Sequence, residues 1–226
     1  MIMEFHMRPA WMNNAIVDIR LSVIRSSLLA LQRQAAKALL PARLRLLLSE
    51  LRESHYVSRS PDRAILVDRI LPDLSMPGTT ILWVGCRRYT RRYPAMIERR
   101  AAVCWTLEID SAARHWGHPE RHTVGDLQKV GTLYPSGYFD VALINGVFGW
   151  GLDTLEGQNE AVEGLARVLK PAGILMLGWN TDRSSDPMKL VAIERLFVPS
   201  QRPGFGPRIM VPGVTHVYDF LSRKEI

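Results

Sequence analysis

Gly85, Glu108, the Gly125-Asp126 pair and the Asn145-Gly146 pair each close a short apolar run, and together they have the chemistry to hold a nucleotide-like ligand. Glu108 stands 23 positions after Gly85. An acid near that spacing accepts hydrogen bonds from ribose hydroxyls. Asp110, two residues on, either shares that site or caps a helix starting at Ser111-Ala112-Ala113. A carboxylate at Asp126 accepts from an adenine amino group, or caps the turn Leu127-Gln128-Lys129. Glycines in the stretch that follows Asn145 let a ligand approach the backbone closely.

The first turn, Trp83-Val84-Gly85-Cys86-Arg87-Arg88-Tyr89, holds a single glycine. Dinucleotide-binding turns need more, one for the bend and others so that a pyrophosphate can reach the backbone. Arg87 and Tyr89 stand where the further glycines would be, and their bulk argues against NAD or FAD. A ligand with a carboxylate and no phosphate is better tolerated, and Arg87 or Arg88 can pair with that carboxylate. The plainer reading of the same residues is a turn with exposed arginines.

Past the strand that ends at Asn145-Gly146 come Val147-Phe148-Gly149-Trp150-Gly151, and Trp179-Asn180 ends a later strand. Phe148, Trp150 and Trp179 are the candidate wall of an acceptor pocket, with core packing as the alternative. Asp153 and His216 are the candidate general bases, and His216 would titrate near neutral pH. Both residue types also occur as ordinary surface or packing groups.

These positions require strands to hold them. Residues 79–84, 103–109, 122–124, 138–144 and 174–178 read as buried strands, with helices over 60–71, 93–100 and 155–169 between or before them. Ser60-Pro61-Asp62 is a helix start with proline in the first turn. Lys170-Pro171-Ala172-Gly173 reads as a turn. Residues 186–197 read as helical, and 208–211 with 215–221 as a terminal hairpin around Pro212-Gly213. Strands alternating with helices predict an α/β fold with a parallel sheet, whose ligands sit beyond the carboxyl ends of the strands.

Residues 1–58 form a separate helical extension and residues 59–226 the α/β domain. Within the extension, apolar residues recur at three- and four-residue steps over residues 13–40, and a second short helix follows Pro41 over 42–52. Arg20, Arg25, Arg33, Arg43, Arg45 and Arg52 decorate this region. A basic amphipathic helix can lie on an anionic membrane, giving peripheral membrane contact. Alternatively its apolar face packs on the main domain or on a second subunit in a homodimer.

The 226 residues carry a formal charge of +7, which favours an acidic or phosphorylated partner without naming one. There are two cysteines, Cys86 and Cys104. With one ending a parallel strand and the other beginning the next, they are too far apart for a disulfide. That suits a reduced, cytoplasmic setting. No secretory leader and no apolar run long enough to span a bilayer is evident.

Over roughly residues 77–180 the order of these marks resembles the class I S-adenosylmethionine-dependent methyltransferases. The matching stretches are Ile81-Leu82-Trp83-Val84-Gly85-Cys86, the acid in Thr106-Leu107-Glu108-Ile109-Asp110, Gly125-Asp126, Tyr138 to Asn145, and Ala166-Arg167-Val168-Leu169-Lys170-Pro171-Ala172-Gly173. The resemblance implies a Rossmann-like sheet of about seven strands, mostly parallel with the last antiparallel. It implies S-adenosylmethionine as cofactor. The contacts would come from Val84, Gly85, Cys86 and Arg87, from Glu108, Ile109 and Asp110, from Gly125 and Asp126, and from Asn145 and Gly146. The chain departs from the family at Trp83, where an acid usually ends the first strand, and at Arg87 and Tyr89. The expected reaction is methyl transfer to a small-molecule or glycan acceptor, with no metal. The alternative is a cofactor-free scaffold of the same fold that binds an anionic partner or membrane through its basic helices. Positive charge also suits nucleic acid. No catalytic cysteine motif or added RNA-binding module accompanies it, so nucleic acid is not the expected acceptor.

Overall fold

The computed structural model describes residue 51, residues 55–57 and residues 59–225. The helices expected over 13–40 and 42–52, with their arginines and their membrane or subunit contacts, lie outside these residues apart from residue 51. The chain divides into two compact units after Arg52, and the unit Glu53–Ile226 holds the sheet.

The strands are β1 (Thr80–Val84), β2 (Val103–Glu108), β3 (His122–Val124), β4 (Phe139–Asn145), β5 (Leu169–Asn180), β6 (Phe197–Pro199), β7 (Arg208–Met210) and β8 (His216–Arg223). They form one eight-stranded sheet in the order β3-β2-β1-β4-β5-β8-β6, with β7 also paired to β8. The first five strands are mutually parallel, and β8 runs antiparallel to β5. β6 and β7 take opposite halves of the remaining edge of β8, at Leu221–Arg223 and Val217–Asp219. Two short strands thus fill one sheet position, and the expected seven-position layout with an antiparallel last strand holds. The chain leaves β1 outward through β2 and β3, then returns to the other side of β1 as β4. That reversal opens a crevice at the tips of β1 and β4, where open α/β sheets bind ligands.

Alternation along β1 explains the layers. Ile81 and Trp83 face one core and Leu82 and Val84 the other, all buried. Side chains in a strand point alternately to opposite faces, so a continuous apolar run marks a strand covered on both sides. One face is covered by α1 (Pro61–Ile65), a π turn over Leu66–Ile70, α2 (Leu71–Leu74) and α3 (Tyr93–Glu98). The other is covered by α4 (Val130–Leu133), α5 (Leu155–Val168) and α6 (Val191–Leu196). Thr154 caps α5, its hydroxyl accepting the Gly157 N–H at 3.2 Å.

Three local readings change. The first helix continues past Pro72 to Leu74. Its π turn spaces the backbone hydrogen bonds so that a residue lacking an N–H is tolerated. The turn expected at Lys170-Pro171-Ala172-Gly173 is instead part of β5, a bulge where the register slips between Phe139↔Leu169 and Val141↔Ile174. Ala172 takes φ 58° there, and Lys170 Nζ anchors the bulge to Asp140 Oδ1 at 2.7 Å. The helix expected to reach Phe197 stops at Leu196, and β6 begins at Phe197, drawn into the sheet by the free edge of β8.

Candidate functional site

A cavity of about 890 Å³ lies at the strand tips, between α1, the β1 turn and the β7–β8 hairpin. This falls within the range of small-molecule and cofactor pockets.

At the β1 tip Gly85 adopts φ 92°, a conformation that side chains resist, and the chain turns sharply there. Glu108 organises the turn. Its Oε2 accepts the Cys86 N–H at 2.7 Å and Arg87 Nη1 at 2.9 Å, and its Oε1 accepts the Asp110 N–H at 3.0 Å. The Glu108 side chain is only 3% exposed, while Arg87 is 48% exposed. The arginine therefore folds over the carboxylate and leaves the cavity open. Trp83 donates its indole N–H to the Gly85 carbonyl at 2.7 Å, so the residue in the acid's place also braces the turn. Arg88 stacks on Trp116, with 5.4 Å between guanidinium and ring centroid, away from the lining.

At the β3 tip Asp126 lines the cavity and also caps the following turn, its Oδ1 accepting the Gln128 N–H at 3.0 Å. The glycine before it packs closely under Leu133. A Cβ on Gly125 would stand 2.7 Å from a Leu133 methyl. Ile109, 66% exposed, offers an apolar side chain at the β2 tip beside Glu108.

The tips of β4, β5 and β8 form a polar chain. His216 Nε2 lies 2.9 Å from Asn145 Oδ1, and Nδ1 lies 3.1 Å from Asn180 Oδ1. Burial, with the Arg63 charge nearby, pushes the imidazole down to about 4, so it is neutral at physiological pH. A neutral imidazole has one N–H, and two acceptor oxygens cannot both be served by it. Asn145 Nδ2 is buried without a partner. Turning that amide over presents Nδ2 to Nε2, so we assign the proton to Nδ1, donated to Asn180. Gly178, paired with Asn145 across β4 and β5, makes the contact possible. A Cβ there would collide with Asn145 Oδ1 and stand 3.0 Å from His216 Nε2.

Of the candidate residues, Val84, Gly85, Arg87, Glu108, Ile109, Gly125, Asp126, Asn145, Gly146, Trp150 and His216 are gathered around this one cavity. Cys86, Asp110, Phe148, Asp153 and Trp179 are not in its lining. The Cys86 side chain points into the core, and burial pushes its thiol up to about 12. Asp110 caps the following turn through Oδ1, which accepts the Ala112 N–H at 2.9 Å. Phe148 is core. Asp153 is exposed and accepts from the Gly151 N–H at 3.2 Å. Trp179 is buried and donates to Asp219 Oδ2 at 2.8 Å. Trp150 stands at the rim, 55% exposed, with the Arg183 guanidinium 4.6 Å over its ring.

Asp62, Arg63, Tyr89, Asn180 and Thr215 also line the cavity. Asp62 and Arg63 escape a motif search because they sit in a helix start far from any strand tip in sequence. A charged pair on the buried side of an amphipathic helix was the available signal. Both cysteines are free and buried, and burial raises the Cys104 thiol further than that of Cys86. Neither offers a thiolate nucleophile at neutral pH.

A family model for a methyltransferase domain matches residues 82–177. No curated protein matches the chain. Among solved structures, a TehB-like S-adenosylmethionine-dependent methyltransferase from Corynebacterium glutamicum is 19% identical, with a TM-score of 0.59, over 82% of this chain and 100% of that one. The N-methyltransferase NodS from Bradyrhizobium japonicum, in complex with S-adenosylhomocysteine, is 14% identical, with a TM-score of 0.57, over 79% of this chain and 97% of that one. A Burkholderia thailandensis 1,6-didemethyltoxoflavin-N1-methyltransferase is 15% identical, with a TM-score of 0.50, over 79% and 89%. Residues 82–177 thus match a methyltransferase domain, and the sheet that carries them has the fold of S-adenosylmethionine-dependent methyltransferases.

Proposed function

We propose that this chain transfers the methyl group of S-adenosylmethionine to a small-molecule or glycan acceptor bound in the same cavity. The observation that carries this reading is the strand-tip cavity of about 890 Å³, which keeps a buried carboxylate at the β2 tip and stays open although Arg87 and Tyr89 replace turn glycines. The residues fit the cofactor in three places. Glu108 presents a carboxylate to a ribose, Ile109 and Leu127 give apolar faces to a purine, and a Cβ on Gly146 would meet nothing within 4 Å, so the backbone there is approachable. The bound cofactor supplies an electrophilic methyl on a sulfonium.

The chain's own contribution is placement. Holding an acceptor in line can account for much of the rate, so no dedicated base is required when the acceptor is already nucleophilic. His216 is the basic group at the wall nearest the β4 tip. Neutral, and with both ring nitrogens engaged by amides, it fixes Asn145 and Asn180 at the cavity wall rather than carrying charge. Trp150 at the rim offers an aromatic face to a planar acceptor or a cation. The described lining of the cavity belongs to the unit from Glu53 to Ile226, and its volume suits a small acceptor. The Burkholderia enzyme of like fold holds 1,6-didemethyltoxoflavin with S-adenosylhomocysteine, and a small-molecule acceptor is in keeping with that.

The test is transfer of radiolabelled methyl from S-adenosylmethionine to a cell extract separated into metabolite, glycan, RNA and protein fractions. Label in the metabolite or glycan fraction is expected, together with a higher melting temperature in S-adenosylhomocysteine. Label confined to RNA or protein overturns the acceptor class. No binding of either adenosyl compound overturns the reading as a whole.

A further inference from the structure

Two opposite charges sit side by side inside the cavity, and the cation is short of hydrogen bonds. The Asp62 and Arg63 side chains are each 8% exposed, and both line the cavity along with Gly85 and His216. Arg63 Nε lies 3.5 Å from Asp62 Oδ2, an ion pair too long to be a good hydrogen bond. Arg63 Nε and Nη1 are buried with no hydrogen-bond partner among the described residues. Below the guanidinium lies the Tyr89 ring, 5.2 Å from centroid to Cζ, and Tyr93 and Tyr218 face it as well. The backbone at Asp62 is fixed by Tyr218, whose hydroxyl donates to the Asp62 carbonyl at 3.1 Å.

A buried guanidinium with unmet N–H groups is costly, and so is a buried carboxylate. The other cation of the lining, Arg87, is already held by Glu108. The β1 tip offers no acid, because Trp83 occupies that position and spends its N–H on Gly85. A cation with unmet N–H groups and an anion a few ångströms apart complement a zwitterion. Its carboxylate would take the planar fork of Arg63 in paired hydrogen bonds, and its ammonium would sit on Asp62.

We infer that Asp62 and Arg63 form the receptor for the amino-acid end of the cofactor, with Tyr89 of the β1 turn as the platform that holds Arg63 in place. This rests on the reading of the cavity as the adenosylmethionine site. It gives Tyr89 a use: the residue that fills a glycine position supports the group that replaces a strand-end acid. The same fork could serve a carboxylate on the acceptor, and the test separates the two.

The experiment compares S-adenosylhomocysteine with 5′-methylthioadenosine, which has the same nucleoside and sulfur but no amino-acid end, by calorimetry. The unaltered protein is expected to prefer the former by at least about tenfold, the scale of charge-assisted hydrogen bonds. Arg63→Met should abolish most of that preference and leave the methylthioadenosine affinity within about twofold, even where the ligand-free melting temperature falls because the Asp62 carboxylate loses its ion pair. Arg63→Lys, which keeps the charge and loses the fork, should give an intermediate preference, and Asp62→Asn should reduce it without touching methylthioadenosine. An unchanged preference in all three variants overturns the inference, and points the fork toward the acceptor. Equal weakening of both ligands also overturns it, since that is the mark of a purely structural role. If neither compound binds the unaltered protein, the reading of the cavity fails first and this inference with it.

Discussion

Arg87 donates from Nη1 to Glu108 Oε2 at 2.9 Å, so the largest replacement in the glycine turn is held on the carboxylate that a ribose would use. With Cys86 and Asp110 N–H groups on the same carboxylate, three protein donors surround an anion with about four lone-pair sites. The turn keeps its shape through these bonds, in place of the conformational freedom of further glycines.

Glu108→Ala should weaken S-adenosylhomocysteine binding by about 1–3 kcal/mol, the scale of hydrogen bonds lost to a charged group. Calorimetry checks it. Unchanged affinity would remove the ribose role from Glu108.

Arg87→Gly should tighten the same ligand by about 0.5–1.5 kcal/mol, because one lone pair of Glu108 is released for a ribose hydroxyl. Weaker binding in this variant would show that Arg87 itself touches the ligand and completes the site.

His216 should make the protein acid-sensitive. Buried among Asn145, Asn180, Tyr218, Arg63 and Asp62, its imidazole is pushed from an ordinary 6.5 down to about 4. The unfolded chain then binds more protons between these values, so stability is full above pH 6.5 and is lost as the pH falls toward 4. The loss amounts to about 3 kcal/mol. Urea unfolding across that window should show the slope, and His216→Gln should flatten it. An identical slope in the variant would assign the acid sensitivity to other groups.

Gly178→Ala should cost about 1–3 kcal/mol by overpacking, since the new methyl meets Asn145 and His216. In an Asn145→Ala background the same change should cost much less, because neighbouring effects do not add. Urea midpoints of the four proteins close the cycle. Full additivity would mean that Gly178 does not make room for this contact.

Much of the fold was legible because its signals are local. Ile81, Leu82, Trp83 and Val84 form an unbroken apolar run, and a strand buried on both faces needs one. Glu108, Asp126, Asn145 and Gly146 could be found because the end of such a run is visible in sequence, and the end of a parallel strand is where this sheet opens. The π turn that carries Pro72, the bulge at Ala172 and the strand at Phe197 were hidden, since each depends on a neighbour: the hydrogen-bond spacing of a long helix, the register of β4, and the free edge of β8.

The sequence by itself therefore determined the alternation of strands and helices, the family likeness and the acids at the β2 and β3 tips, all properties of residues close together in the chain. Only the tertiary structure decided which side chains reach the cavity. It turned Cys86 and Trp179 into the core, gave Asp110 to a cap, laid Arg87 over Glu108, and brought Asp62 and Arg63 to the β1 turn and His216 to Asn145, a partner 71 residues away. The physical reason is that burial and partner choice are settled by packing between distant segments, where a charge goes wherever another element meets it.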